Sequence, residues 1–128
     1  VGEFAFLTGL TVKNVEAGRI DEAIRYAKEN HVVLGLKGAP TVIAVPDGRA
    51  WVNSTGNPGM ATGGMGDTLT GIIAAFIGQG LSAEEAAVTG VYLHGLAGDL
   101  LAEKMPVGYT AGDVARMIPL ARKKVIEG

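Results

Sequence analysis

The sequence predicts an α/β fold in which short strands, including a β-hairpin, are followed by three helices. Three observations predict it. β-Branched and apolar runs cluster between residues 32 and 53, apolar residues recur at helical spacing after residue 67, and a glycine-rich stretch separates the two patterns. The chain has 128 residues, of which 48% are apolar and 19% charged. That length and balance suit one folded domain rather than a disordered chain.

The elements follow in order. Residues 2–9 read as a short helix or turn, and residues 19–29 as a helix with Ile20, Ala23, Ile24 and Ala27 on one face. Val32-Val33-Leu34-Gly35-Leu36 is a short strand that ends at Lys37-Gly38, and Thr41-Val42-Ile43-Ala44-Val45 is a second. Pro46-Asp47-Gly48-Arg49 is a turn leading into a third strand, Ala50-Trp51-Val52-Asn53, so strands two and three form an antiparallel hairpin. A helix over 67–78 carries Leu69, Ile72, Ile73, Phe76 and Ile77 as a core-facing stripe, and Gly78-Gln79-Gly80 stops it. Ser82-Ala83-Glu84-Glu85 is a capping box that opens a helix to about residue 104, with Leu93, Leu96, Ala97, Leu100 and Leu101 inward. A last helix starts at Thr110-Ala111-Gly112-Asp113 and runs to about 126, where Pro119 is expected to bend or break it. No internal repeat and no domain boundary are visible.

Composition narrows the function. A net charge of −2 with scattered lysines and arginines offers no field for nucleic acid or an anionic membrane. The short run Arg122-Lys123-Lys124 suits the C-terminal end of a helix. With no cysteine, disulfides and thiolate sites are excluded, which fits a reducing cytosol and a cytoplasmic protein. No stretch has the length of a membrane span, and no secretory-signal pattern is visible.

Glycine is in excess, at 20 residues, and it concentrates at Gly56, Gly59, Gly63, Gly64, Gly66 and Gly71. Phosphate oxygens need several donors in a small space. Backbone N–H groups supply them where the chain can approach closely and where a helix begins. Gly63-Gly64-Met65-Gly66-Asp67 offers both features. The loop is neither a Walker A motif, since no Lys-Ser/Thr follows Gly66, nor Gly-x-Gly-x-x-Gly, since Gly64-Met65-Gly66 runs into Asp67-Thr68-Leu69. A carboxylate beside an anion site makes sense as the acceptor of a proton from an attacking hydroxyl, but the pattern alone favours a helix cap for Asp67. Lys37 closes an apolar strand, where it either reaches a phosphate or lies along the sheet rim. Met60 and Met65 fall in the loop, outside core periodicity, and are expected against a ligand. Glu3 is a lone carboxylate, and His31 and His94 read as structural, His94 as a satisfied histidine on an apolar helix. No cluster has metal-ligand spacing, so any Mg²⁺ would arrive with a nucleotide, held by phosphates and water.

Two segments carry a resemblance. Leu36-Lys37-Gly38-Ala39-Pro40-Thr41-Val42-Ile43-Ala44 and Asn57-Pro58-Gly59-Met60-Ala61-Thr62-Gly63-Gly64-Met65-Gly66-Asp67-Thr68-Leu69-Thr70-Gly71 resemble the signature segments of the ADP/ATP-dependent NAD(P)H-hydrate dehydratases, of the ribokinase-like superfamily. Gly90-Val91-Tyr92-Leu93-His94-Gly95-Leu96-Ala97-Gly98-Asp99 is similar to the same family. The resemblance implies a ribokinase-like fold and a lyase that dehydrates the S epimer of hydrated NADH or NADPH at the expense of ADP or ATP. It implies that Lys37, Gly38, Ala39, Pro40 and Thr41, with Asn57, Pro58, Gly59, Met60, Ala61, Thr62, Gly63, Gly64, Met65 and Gly66, bind the nucleotide. It makes Asp67 the catalytic acid-base group in contact with substrate.

Similar bacterial enzymes are tetramers, so a homo-oligomer is expected. The family domain is about twice this length, so the chain reads as the C-terminal part of a single domain, with the N-terminal half absent. Two other functions remain compatible with the residues: a ribokinase-like kinase of a sugar or vitamin alcohol, and a non-catalytic nucleotide-binding module.

Overall fold

The computed structural model describes all 128 residues, which form two compact units, Val1–Asn53 and Ser54–Gly128. In the first unit, helices α1 (Gly2–Thr8), α2 (Val12–Ala17) and α3 (Arg19–Asn30) precede strands β1 (Leu34–Leu36), β2 (Val42–Ala44) and β3 (Ala50–Val52). The strands form one antiparallel sheet in the order β1-β2-β3, with Leu34 opposite Ala44 and Ile43 opposite Trp51. Ala23 and Ala27 of α3 are fully buried, which lets that helix lie close to Leu36, Val42 and Ala44. Phe4 of α1 closes this core edge-on to Tyr26, with ring centroids 5.3 Å apart. The hairpin turn is set by Gly48 in the left-handed region and by Asp47, which accepts from the Arg49 N–H at 3.0 Å.

The second unit has a 3₁₀ turn at Pro58–Met60 and three helices: α4 (Met65–Gly78), α5 (Ala83–Ala102) and α6 (Ala111–Glu127). The expected capping box of Ser82 with Glu85 opens α5, and a second one, Thr110 with Asp113, opens α6. Leu93, Ala97 and Leu100 of α5 meet Met65, Tyr109, Val114 and Ala121 in one core. Glycines let α5 approach its neighbours. A Cβ at Gly90 would stand 2.7 Å from Ile73 Cγ1, and one at Gly95 would stand 2.7 Å from the carbonyl carbon of Thr55.

Several expectations change. The segment 10–17 contains α2, capped by Thr11 through the Asn14 N–H, and six residues with one buried side chain show no periodicity to find. β1 is antiparallel, so the rule placing ligands beyond the carboxyl ends of parallel strands does not locate Lys37 here. α4 starts at Met65 rather than Asp67, so Gly66 lies in its first turn, where its low helix propensity had marked the position as loop. Its stripe is only partly covered: Leu69 is buried, while Ile77 is 49% exposed. α6 is continuous through Pro119, with no break. No helix is long and apolar enough to cross a membrane.

Packing separates two glycine-to-alanine changes. Gly71 lies inside α4 with nothing within 4 Å of an added Cβ, so Gly71→Ala is expected to stabilise the protein by about 0.5–1 kcal/mol. Gly95→Ala forces a methyl group against the Thr55 backbone and is expected to cost about 1–3 kcal/mol. Thermal melts of both variants check the pair, and equal shifts in one direction would contradict it.

Candidate functional site

The residues expected to cradle phosphate sit where a loop runs into the start of a helix. Within the loop, Met60 N–H donates to Asn57 O, Ala61 N–H to Pro58 O and Thr62 N–H to Met60 O. Gly64 then caps α4 at φ 84°, and the first α4-turn N–H with a backbone acceptor is that of Thr68, on Gly64 O at 3.0 Å. The N–H groups of Gly64, Met65, Gly66 and Asp67 therefore lie ahead of the helical ladder, at the positive end of the helix dipole. A positive φ makes glycine the fitting residue at position 64. The arrangement can accept an anion.

Asp67 is the third residue of α4, exposed, and its carboxylate makes no hydrogen bond or ion pair. The cap role is thereby removed, since the cap position belongs to Gly64 and no side-chain cap bond exists there. What remains is a carboxylate one turn inside an anion-attracting helix end.

Met65 departs from expectation. It is 7% exposed and belongs to the core of the second unit, and Met60 packs against that core with its side chain over Gly98. The early start of α4 puts Met65 on the buried face, so its backbone N–H, not its side chain, faces the anion position. Asn57 also turns inward. Its Oδ1 accepts from the Gly59 N–H at 3.0 Å and from the Tyr109 hydroxyl, and its Nδ2 donates to Asp99 Oδ1 at 2.8 Å.

In the first unit, Lys37, Gly38, Ala39, Pro40 and Thr41 form an exposed to half-exposed turn, with the Ala39–Pro40 peptide cis. Lys37 Nζ lies 3.6 Å from Glu3 Oε2, so Glu3 is not the lone carboxylate expected. Arg19, which the sequence did not single out, donates from Nη2 to Pro40 O at 2.6 Å. A Cβ at Gly38 would meet the same guanidinium, which lies directly over that residue. Arg19 and Pro40 also line a cleft of about 450 Å³ with Glu16, Asp21, Val42 and Val52. No signal in the local sequence ties Arg19 to a turn 21 residues away.

His94 is buried on α5, but its Nε2 has no partner, so it is not the satisfied histidine expected. No group of three or more His, Cys, Asp or Glu side chains is placed to hold a metal ion.

A profile of the NAD(P)H-hydrate dehydratase family matches residues 1–120. The bifunctional NAD(P)H-hydrate repair enzyme of Thermofilum pendens is 49% identical over 127 residues, 98% of this chain and 24% of that enzyme. The crystal structure of the ADP/ATP-dependent NAD(P)H-hydrate dehydratase from Bacillus subtilis, co-crystallised with ATP and Mg²⁺, superposes with TM-score 0.92 at 36% identity. The match covers 96% of this chain and 45% of that one. A ribokinase-like superfamily protein from Enterococcus faecalis matches with TM-score 0.74 at 36% identity, over 85% of this chain and 38% of its own, and the fold is the C-terminal portion of a ribokinase-like α/β fold. The chain thus spans less than half the length of each of these relatives.

Burial holds the His94 imidazole below its ordinary value of 6.5, and a contact with the Met65 backbone opposes this in part. The unfolded chain takes up this proton near pH 6.5, while the folded chain keeps the ring neutral to lower pH. The stability so gained is full above about pH 6.5 and is lost as pH falls toward the folded value. Asp47 and Asp113, held low by hydrogen bonds from Arg49 and Thr110, lose theirs only in the acid range. Thermal melts between pH 7 and 5 should show stability falling with pH, with a shallower slope for His94→Gln. An unchanged slope in that variant would contradict the assignment.

Proposed function

The chain belongs to the NAD(P)H-hydrate dehydratase family, and we propose on that premise that it supplies the nucleotide side of a dehydratase active site. The whole enzyme would convert the (S)-hydrates of NADH and NADPH back to the coenzymes at the expense of ADP, giving AMP and phosphate. The observation that carries this is the N-terminus of α4, where free N–H groups capped by Gly64 adjoin an unpartnered Asp67.

The chemistry follows from that pairing. The hydrate hydroxyl attacks the terminal phosphoryl group of the nucleotide. Asp67 accepts the hydroxyl proton, and the N–H groups from Gly64 to Gly66 hold the phosphoryl oxygens as charge moves onto them. Phosphate then leaves with its C–O bonding electrons and a proton leaves the neighbouring ring carbon, which restores the ring double bond. Lys37, Gly38, Ala39, Pro40 and Thr41 form a second nucleotide-binding stretch, and Asn57, Pro58, Gly59, Met60, Ala61 and Thr62 lead into the cradle. Mg²⁺ suits nucleotide phosphates better than this chain, whose residues form no acidic cage. Bound there, it would neutralise phosphate charge.

On the same reading the 128 residues are the C-terminal part of a single dehydratase domain. The protein works in the cytoplasm, a compartment that a chain without cysteine suits, and self-associates as similar bacterial enzymes do.

Asp67→Asn in the complete protein tests the reading. Recovery of dihydronicotinamide absorbance from hydrated NADH with ADP should fall by about 10²–10⁴-fold. ADP affinity should stay within about threefold, because the cradle is backbone. Undiminished turnover would remove Asp67 from the chemistry, and phosphorylation of an alcohol with no coenzyme recovery would make the protein a kinase.

A further inference from the structure

The loop that delivers the phosphate cradle is tied down at one amide side chain. Asn57 receives the Gly59 N–H at 3.0 Å and the Tyr109 hydroxyl on one oxygen, and its Nδ2 donates to Asp99 Oδ1 at 2.8 Å. The other oxygen of Asp99 accepts the Gly56 N–H at 2.9 Å. Two distant segments therefore converge on the loop: Asp99 from α5 and Tyr109 from just before α6.

Tyr109 is 2% exposed, so its hydroxyl has no water to fall back on. Space is tight around the same point, since a Cβ at Gly59 would stand 2.5 Å from Pro106 O and 2.7 Å from the Tyr109 hydroxyl. From Asn57 onward the loop is a chain of backbone hydrogen bonds through Met60, Ala61 and Thr62, and Gly63 and Gly64 follow directly into α4. A shift at Asn57 is thus carried to the donors.

We propose that Asp99 and Tyr109 are positioning residues that act through Asn57 to set the aim of the N–H groups at Gly63, Gly64, Met65 and Gly66. Neither side chain reaches the phosphate. Asp99 fixes the entry of the loop by holding Gly56 and Asn57 together, and Tyr109 fixes its turn by completing the acceptor at Asn57. The cradle is thereby assembled before any anion arrives. This rests on the nucleotide reading of the preceding section for what the cradle holds, but not for how the loop is held.

Tyr109→Phe and Asp99→Asn test it in the complete protein, with Val114→Ala as a variant that thins the same core without removing a hydrogen bond of the clamp. Amide hydrogen exchange over residues 56–62 and ADP affinity by calorimetry are measured on each. Tyr109→Phe is expected to speed loop exchange and weaken ADP by about tenfold, the factor one such hydrogen bond carries, with kcat at saturating ADP nearly unchanged. Asp99→Asn, which loses the charge holding two donors, should have the larger effect. Val114→Ala should lower the melting temperature with loop exchange and ADP affinity as in wild type.

Unchanged loop exchange in both clamp variants overturns the proposal, and so does faster exchange with wild-type ADP affinity. If the wild-type protein binds no ADP, the nucleotide reading falls. The loop exchange rates of the clamp variants then decide the clamp alone.

Discussion

An α-helix must begin with N–H groups that its own ladder cannot use, and in this chain those groups follow a loop whose N–H groups at Gly59, Met60, Ala61 and Thr62 are already bonded. Everything else in the second unit serves that junction. Gly64 turns the chain into the helix at positive φ, Met65 anchors the first turn in the core, and Asp67 stands beside the free donors with no partner of its own. An anion at this point satisfies groups that otherwise face solvent. The cost of preparing such a site is small, because helix ends leave these groups open in any case.

The scaffold around the junction is built for close approach. Gly90, Gly95 and Gly98 of α5 admit Ile73, Thr55 and Met60, respectively, so the loop and α4 lie against one helix. The first unit uses the same device once, at Gly38, which admits the Arg19 guanidinium under the turn that follows β1. In both units the chain that would meet a nucleotide is held in part through its backbone, at Pro40 O and at the Gly56 N–H, and in the second unit also through the side chains of Asn57 and Met65. This suits a surface whose donors must point outward.

Much of this was legible in the residues. The β-branched run of β2, the apolar stripe of α5 and the capping box at Ser82 placed their elements because each has a local physical signature. The reading of the glycine loop as an anion site rests on a signature of the same kind, glycines running into a helix start. Three features were not legible. α2 is too short to show a period. The start of α4 hid behind Gly66, a poor helix former in its first turn, and this in turn hid Met65 as a core residue. The hub at Asn57 depends on Asp99 and Tyr109, which are 42 and 52 residues away, and no local pattern encodes such a meeting. The catalytic role proposed for Asp67 rests on family resemblance, and the structure adds that Asp67 does not cap the helix.

The central claim is that the phosphates of a nucleotide rest on the backbone at the start of α4. Titration of ¹⁵N-labelled complete protein with ADP measures this directly. The account predicts that the amide resonances of Gly63, Gly64, Met65 and Gly66 shift most among those of the second unit, and that inorganic phosphate at higher concentration moves the same set. Shifts that spare these four amides and gather at the N-terminus of α5 or α6 instead would contradict it.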